Sequence, residues 1–182
     1  RLICAPMDYT PGIFNLKDYR YNSPDDRTIN TNHHIPSTIA KELAHYVVIY
    51  APIQMAADLP ENYKGNPAFQ FILDVPTDWE ETQILNGEIG KYITTVRKDR
   101  NSDDWYLGSI TNENARKLDV QMSFLESGKE YNATIYKDPV DGGWEAKPEE
   151  IIINNVQFKQ GDKYTIELPP GGGQAIRFTP QS

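Results

Sequence analysis

Cysteine is almost absent from this sequence, since Cys4 is the only one among 182 residues. A single cysteine excludes a disulfide within the chain and a cysteine-rich zinc site. Cys4 lies in an apolar run, and we expect it to be a small buried side chain rather than a nucleophile. Stability must therefore come from a packed core, for which 38% hydrophobic and 11% aromatic residues are sufficient.

Long apolar runs and clusters of basic residues are missing as well. No stretch approaches the roughly 20 apolar residues of a membrane-spanning helix. The net charge is −8, whereas proteins bind nucleic acids and anionic membranes through clustered Lys and Arg. We therefore expect no membrane span and no nucleic-acid partner. The chain opens on the apolar run RLIC without a signal peptide, and we expect it to continue upstream of Arg1.

Two short apolar runs each lead into a loop that carries a carboxylate and a proline. Residues 2–5 precede Asp8, and residues 53–60 end on Asp58, Leu59 and Pro60. Between them, residues 39–50 show the apolar spacing of a helix. Strand, loop, helix, strand and loop in this order form the repeating unit of a (β/α)8 barrel, whose loops present residues at the catalytic face.

The predicted helices have recognisable ends. Ser37 follows a proline and is predicted to cap the first turn of the longer helix. The Ala51-Pro52 pair ends it, because proline disfavours helical geometry in the residue before it. A second, short helix is predicted with Asn66 as N-cap and Pro67 as first residue. The apolar stripe of the longer helix consists of Ile39, Leu43, Tyr46, Val47 and Tyr50.

Polar side chains on these loops are the candidates for contact with a ligand. Asp8 either contacts substrate, binds a cation, acts in catalysis or closes an Asx turn. His33 and His34 end a long polar segment, and without H-x-x-x-H spacing they suit hydrogen bonding or packing better than a metal. Gln54 and Asp58 either face the same ligand or are buried structural groups.

From Trp79 onward the hydrophobic pattern changes to alternation, which is typical of strands. A hairpin is predicted with its turn at residues 86–90. The motif PGGG at residues 170–173 predicts a turn, because no Lys-Ser/Thr pair or helix follows to form a phosphate loop. About eight short strands at even spacing predict an antiparallel sandwich. They lie at residues 82–85, 91–98, 104–111, 118–124, 131–136, 151–158, 164–168 and 175–178.

The predicted fold is therefore α/β followed by all-β. The last strand–helix units of a (β/α)8 barrel occupy residues 1–78, and a C-terminal antiparallel β-sandwich domain occupies residues 79–182. At the junction, Glu80 and Glu81 are either an acid pair beside a sugar-stacking Trp79, or groups that cap, pair or face solvent. Their place between the two domains favours the second interpretation, with Trp79 packing the junction.

Several motifs, in order along the chain, resemble glycoside hydrolase family 97, the bacterial α-glucosidases and α-galactosidases. They are APMDYTPG at residues 5–12, KELAHYVV at 41–48, PIQMAADLPENY at 52–63, FILDVPTDWEET at 71–82, WYLGSITN at 105–112 and PGGGQAI at 170–176. Together they span nearly the whole chain in the order expected of the family.

This resemblance implies an N-terminal β-sandwich, a (β/α)8 catalytic barrel and a small C-terminal β-domain, of which this chain matches the end. The family's general acid and a calcium-binding glutamate lie in an E-G-x-R-G-x-E motif that this sequence lacks. The principal catalytic carboxylates and the ligands of a calcium cofactor are therefore expected upstream, in the full-length enzyme. The side chains left for contact with substrate are Asp8, Tyr9, His33, His34, Gln54 and Asp58.

The expected function is part of an exo-acting α-glycosidase that hydrolyses α-linked oligosaccharides, as an α-glucosidase or an α-galactosidase. The resemblance also implies a periplasmic or other extracytoplasmic location in a Gram-negative bacterium. The expected partners are an oligosaccharide substrate and the N-terminal part of the same polypeptide, without which this portion is expected to be inactive. The alternative is a non-catalytic carbohydrate-binding or structural β-module.

Overall fold

The structure is a computed structural model that describes residue 6, residues 8–17 and residues 35–181. In these residues the chain forms mostly antiparallel β-structure with few helices. None of the described helices is long and apolar enough to cross a membrane. The elements are α1 (Ile39–Val48), α2 (Pro60–Tyr63), α3 (Phe69–Asp74), β1 (Trp79–Glu88), β2 (Tyr92–Asp99), β3 (Trp105–Thr111), β4 (Arg116–Gln121), β5 (Glu130–Lys137), β6 (Ile152–Lys159), β7 (Lys163–Leu168) and β8 (Gly173–Pro180).

The strands form two antiparallel sheets. Six of them follow the order β1-β2-β3-β8-β5-β6, and β4 pairs with β7 in a second sheet. The last strand of the chain therefore lies inside the larger sheet, between β3 and β5, where Leu107 pairs with Ile176. The predicted C-terminal antiparallel β-domain is confirmed.

Two hydrophobic cores lie on opposite faces of the larger sheet. Successive side chains of a strand point to opposite faces, so Trp105 and Leu107 of β3 enter the core beneath β4 and β7. Tyr106, between them, enters a second core that is completed by α1 and α3. The larger sheet is thus the middle layer of the molecule, and it carries helices on one face and the small sheet on the other.

Helix α1 lies directly on this sheet because two glycines leave room for it. A Cβ on Gly108 would lie 2.6 Å from the carbonyl oxygen of Ala44, and a Cβ on Gly173 would lie 2.4 Å from Lys41 Cα. The predicted apolar stripe is buried in its first four members. Tyr50, the fifth, follows the end of the helix and is half-buried.

The start of α1 differs from the prediction by one residue. Thr38 is the N-cap, and its side chain accepts a hydrogen bond from Lys41 N at 3.1 Å. Ser37 instead donates its hydroxyl to Glu42 Oε1 at 2.5 Å. The prediction for Ser37 was wrong, because its hydroxyl donates to the buried carboxylate of Glu42 and so does not cap the helix.

Two other predicted boundaries are shifted. Asn66 Oδ1 accepts a hydrogen bond from Ala68 N at 3.0 Å, but this closes a turn, and helix α3 begins only after Ala68. In the hairpin, β1 continues to Glu88, and the turn follows it, with Lys91 N donating to the Glu88 carbonyl at 2.9 Å. Gly90 has a φ of +75°, so it takes the left-handed position that glycine tolerates best.

The junction between the predicted domains is a packed seam. Trp79 is buried and meets Tyr106 edge to face, with ring centroids 5.6 Å apart. Glu80 and Glu81 are exposed, and Glu80 Oε2 lies 3.3 Å from Lys98 Nζ. The interpretation of Trp79 as a packing residue and of Glu80 and Glu81 as paired or solvated groups is confirmed.

Candidate functional site

Tyr9 and Gln54 come from the two predicted loop units and lie side by side. The two residues form a parallel β-bridge. The side chain of Gln54 is anchored to α1, since its Nε2 donates to the Tyr46 carbonyl oxygen at 2.8 Å. Asp8, the chain neighbour of Tyr9, is exposed. The fold therefore brings Asp8, Tyr9 and Gln54 to one place.

Tyr9 is oriented by a histidine on α1. Its hydroxyl lies 3.2 Å from His45 Nδ1, and the two rings meet edge to face. Burial, followed by the charge of Glu42, raises the pKa of Tyr9 to about 12. Burial lowers the pKa of His45, although Glu42 opposes this shift. At neutral pH the phenol and the imidazole are therefore both uncharged, and a neutral hydrogen bond joins them.

Glu42 is a buried carboxylate that is not among the residues predicted from the sequence. Its Oε2 accepts a hydrogen bond from Gly12 N at 3.0 Å, and its Oε1 lies 3.7 Å from His45 Nδ1. Buried charges persist only where hydrogen bonds compensate for lost hydration. One signal was present: Glu42 falls on the apolar stripe of α1, directly before Leu43, where a solvated glutamate is not expected.

Two tyrosine hydroxyls tie the loop units together. The hydroxyl of Tyr46 lies 3.1 Å from the carbonyl oxygens of both Pro11 and Met55. The hydroxyl of Tyr63 donates to the Gly12 carbonyl at 2.9 Å. The pKa of each phenol is raised, mainly by burial. Both phenols therefore keep the proton that these hydrogen bonds require.

The carboxylate of Asp58 accepts four hydrogen bonds from other groups of the chain. Its Oδ2 accepts hydrogen bonds from Phe14 N at 2.8 Å and from Asn15 N at 2.7 Å. Its Oδ1 accepts from Leu59 N at 2.8 Å and from Asn62 Nδ2 at 2.6 Å. Burial acts to raise the pKa of Asp58, but these hydrogen bonds outweigh it, and the pKa is lowered. The carboxylate is thus an anchor for residues 14 and 15.

Three other residues named in the sequence predictions, Cys4, His33 and His34, lie outside the described residues. Across the part of the chain that the structure describes, no three His, Cys, Asp or Glu side chains are grouped to hold a metal ion. The site therefore consists of Asp8, Tyr9 and Gln54, with His45, Glu42 and Asp58 holding the surrounding backbone.

A family model described as "Glycosyl-hydrolase 97 C-terminal, oligomerisation" matches residues 78–179. The chain belongs to glycoside hydrolase family 97. The family 97 match extends over the whole β-domain, from the entry into β1 almost to the end of β8. The resemblance drawn from the sequence motifs is confirmed.

Individual members of family 97 match over nearly the whole chain. The retaining alpha-galactosidase of Bacteroides thetaiotaomicron is 37% identical over 98% of this chain and 26% of its own length. A family 97 enzyme from Pseudoalteromonas sp. strain K8, solved with panose and with acarbose, is 44% identical, with a TM-score of 0.87. The alignment covers 98% of this chain and 27% of that enzyme.

A more distant solved structure, a beta-arabinopyranosidase, is 26% identical, with a TM-score of 0.72. It is matched over 94% of this chain and 25% of its own length. The chain thus spans about a quarter of the length of the relatives that it matches.

Proposed function

We propose that this chain is the C-terminal part of an exo-acting α-glycosidase that hydrolyses α-linked oligosaccharides, as an α-glucosidase or an α-galactosidase. The observation that carries the proposal is the identity of 37% and 44% with two family 97 enzymes over 98% of the chain. Glycoside hydrolysis requires a pair of carboxylates across the scissile bond. We assign that pair to the three quarters of the enzyme that this chain does not match.

Residues 1–78 are proposed to form the last strand–helix units of the enzyme's (β/α)8 barrel. Two observations support this assignment. Tyr9 and Gln54 pair in parallel, as neighbouring barrel strands do. Helix α1 lies between them in sequence, and parallel strands need such a crossover because a tight turn cannot join them.

The surface of this unit supports the same assignment. Ile53, Met55, Leu59 and Leu73 are between 47% and 64% exposed. One exposed apolar residue is ordinary, whereas four large exposed apolar side chains within residues 53–73 are unusual. In a complete barrel, the remaining strands and helices would cover such side chains.

Under this proposal, Asp8 and Tyr9 hydrogen-bond sugar hydroxyls at the catalytic face, because loops after barrel strands line that face. Gln54, His33 and His34 remain proposed substrate contacts, and Asp58 is proposed to act through residues 14 and 15, whose N–H groups it holds. Calcium and an extracytoplasmic location are proposed for the full-length enzyme on the family resemblance alone. The described residues offer no fitting group of metal ligands.

Activity should separate this proposal from a non-catalytic module. We expect the full-length protein that contains this chain to hydrolyse 4-nitrophenyl α-glucoside or α-galactoside, measured by release of nitrophenol. The 182-residue chain should release none, because it lacks the carboxylate pair. Turnover by the chain alone would contradict the assignment. A full-length protein that binds oligosaccharides without hydrolysing either substrate would favour the carbohydrate-binding module.

We also propose that the β1–β2 hairpin binds a second copy of the protein. The matched family model is described by the word oligomerisation, and residues 78–179, which it matches, include this hairpin. Ile89 at the turn is completely exposed, and Ile84 is 49% exposed. They line a groove of about 530 Å³ together with Ile93 and Ile110. An apolar groove on an exposed hairpin at the sheet edge suits a self-complementary contact.

Replacing Ile89 by aspartate should therefore break the oligomer of the full-length protein. Burying a charge in an apolar contact is costly when no partner compensates for its lost hydration. We therefore expect the sedimentation coefficient to fall to that of the monomer. Val140→Asp is the matched control, since Val140 is 67% exposed but lies outside the hairpin. An unchanged sedimentation coefficient for Ile89→Asp would place the interface elsewhere.

A further inference from the structure

The backbone that follows Tyr9 is held by carboxylates from two separate parts of the chain. Asp58 Oδ2 accepts hydrogen bonds from Phe14 N and Asn15 N at 2.8 and 2.7 Å. Glu149 Oε1 accepts from Leu16 N and Lys17 N, both at 2.9 Å. Four consecutive backbone N–H groups thus point at two anions, which is how backbone concavities bind negative charge.

Glu42 adds a third carboxylate to this arrangement. Its Oε2 accepts a hydrogen bond from Gly12 N at 3.0 Å inside the core. The three carboxylates come from different elements. Glu42 lies on α1, Asp58 on the loop after Gln54, and Glu149 on the loop between β5 and β6.

Glu149 is the member that belongs to the β-domain, and its loop is itself attached to the helical layer. Pro148, the preceding residue, accepts a hydrogen bond from Ile39 N at 2.9 Å, at the first turn of α1. Glu149 is half-buried, whereas its neighbour Glu150 is exposed. The loop therefore contacts both the start of α1 and residues 16 and 17.

We propose that Glu149 is a positioning residue for the glycosidase reaction, through which the β-domain sets the position of Asp8 and Tyr9. This inference rests on the proposed function, in which Asp8 and Tyr9 contact the sugar. The physical reason is the short path along the chain. Gly12 and residues 14–17 donate charge-assisted hydrogen bonds to carboxylates, and such bonds are stronger than neutral ones. Tyr9 lies only three residues before Gly12, and His45 holds its hydroxyl.

The test replaces Glu149 by alanine in the full-length enzyme. We expect the KM for the 4-nitrophenyl α-glycoside to rise about tenfold with a smaller change in kcat, because substrate contacts are misplaced while the carboxylate pair is untouched. Amide hydrogen exchange, measured by mass spectrometry, should become faster in peptides that cover residues 10–17. Glu149→Gln should restore most of both readouts, because a single oxygen of Glu149 accepts both hydrogen bonds.

Glu150→Ala is the matched control, since Glu150 is the adjacent carboxylate and its closest ionic partner is Lys147 at 3.8 Å. It should leave both KM and exchange unchanged. Wild-type exchange in Glu149→Ala, or faster exchange with an unchanged KM, would overturn the positioning role. If the wild-type enzyme hydrolyses neither substrate, the proposed function fails, and the exchange measurement alone then decides whether Glu149 holds residues 16 and 17.

Discussion

Replacing Gly173 by alanine should lower the free energy of unfolding by about 3 kcal/mol, because the new methyl group meets backbone rather than flexible side chains. Its Cβ would lie 2.4 Å from Lys41 Cα and 2.8 Å from Lys41 N. Helix α1 would have to move off the sheet, and this would disturb the hydrogen bond from Gly173 N to Asp138 Oδ2. A melting temperature lower by roughly 10 °C is expected in circular dichroism.

Gly87→Ala is the matched control for this substitution. Gly87 also lies in a strand, but a Cβ there would meet nothing closer than the Tyr92 carbonyl oxygen at 3.4 Å. We expect its melting temperature to stay within a few degrees of the parent. A Gly173→Ala variant as stable as Gly87→Ala would show that α1 does not lie against β8 as described.

Replacing Asp138 by asparagine should stabilise the chain at alkaline pH. Asp138 is buried between Thr38 at the start of α1 and Gly173 at the start of β8, and its Oδ2 accepts hydrogen bonds from both. Its Oδ1 accepts none within the described residues. Burial raises the pKa of Asp138 from 3.8 to about 7, although these hydrogen bonds and the charge of Lys41 oppose the shift.

The direction of the pH effect follows from this raised pKa. Between about pH 4 and pH 7 the folded chain holds a proton that the unfolded chain has released. The contribution of Asp138 to stability is therefore complete below pH 4 and is lost as the pH rises through 7. Asparagine carries no charge at any pH. At pH 8 we expect Asp138→Asn to gain about 2 to 4 kcal/mol in urea unfolding, and at pH 4 close to nothing.

Asp141→Asn provides the comparison for this experiment. Asp141 is exposed on the same loop, and its carboxylate pairs with Lys147 at 2.8 Å. Exposed pairs contribute little, so this variant should show no gain at pH 8. Equal stability of Asp138→Asn and the parent at pH 8 would mean that the Asp138 carboxylate is hydrated in solution.

Much of the fold could be predicted because its signals are local. The apolar stripe of α1 was visible at helical spacing, and the alternation after Trp79 indicated the strands of the β-domain. Pro52 indicated the end of the longer helix to within a few residues, because proline restricts the residue before it and α1 ends at Val48. Such patterns involve residues a few positions apart, and a single sequence contains them in full.

The boundaries of the elements were less predictable, because burial and strand pairing, which depend on tertiary packing, selected between near-equal alternatives. Ser37 and Thr38 are both good N-caps, and the buried carboxylate of Glu42 decided between them by accepting the Ser37 hydroxyl. Gly87 and Gly90 both suit a hairpin turn, and the pairing of β1 with β2 extends to Glu88 and Tyr92, which leaves the turn to Gly90.

The sequence by itself determined the antiparallel β-domain, the order of its strands and the family. Only the tertiary structure decided which polar residues are anchors. Asp138 and Glu149 look like ordinary surface charges in the sequence, and Glu149 meets Leu16 across a separation of 133 residues. The absence of a side chain at Gly173 likewise makes sense only in the folded chain, where Lys41 of α1 lies against it. Burial and hydrogen bonding of such groups depend on which elements pack together, and no local pattern encodes that.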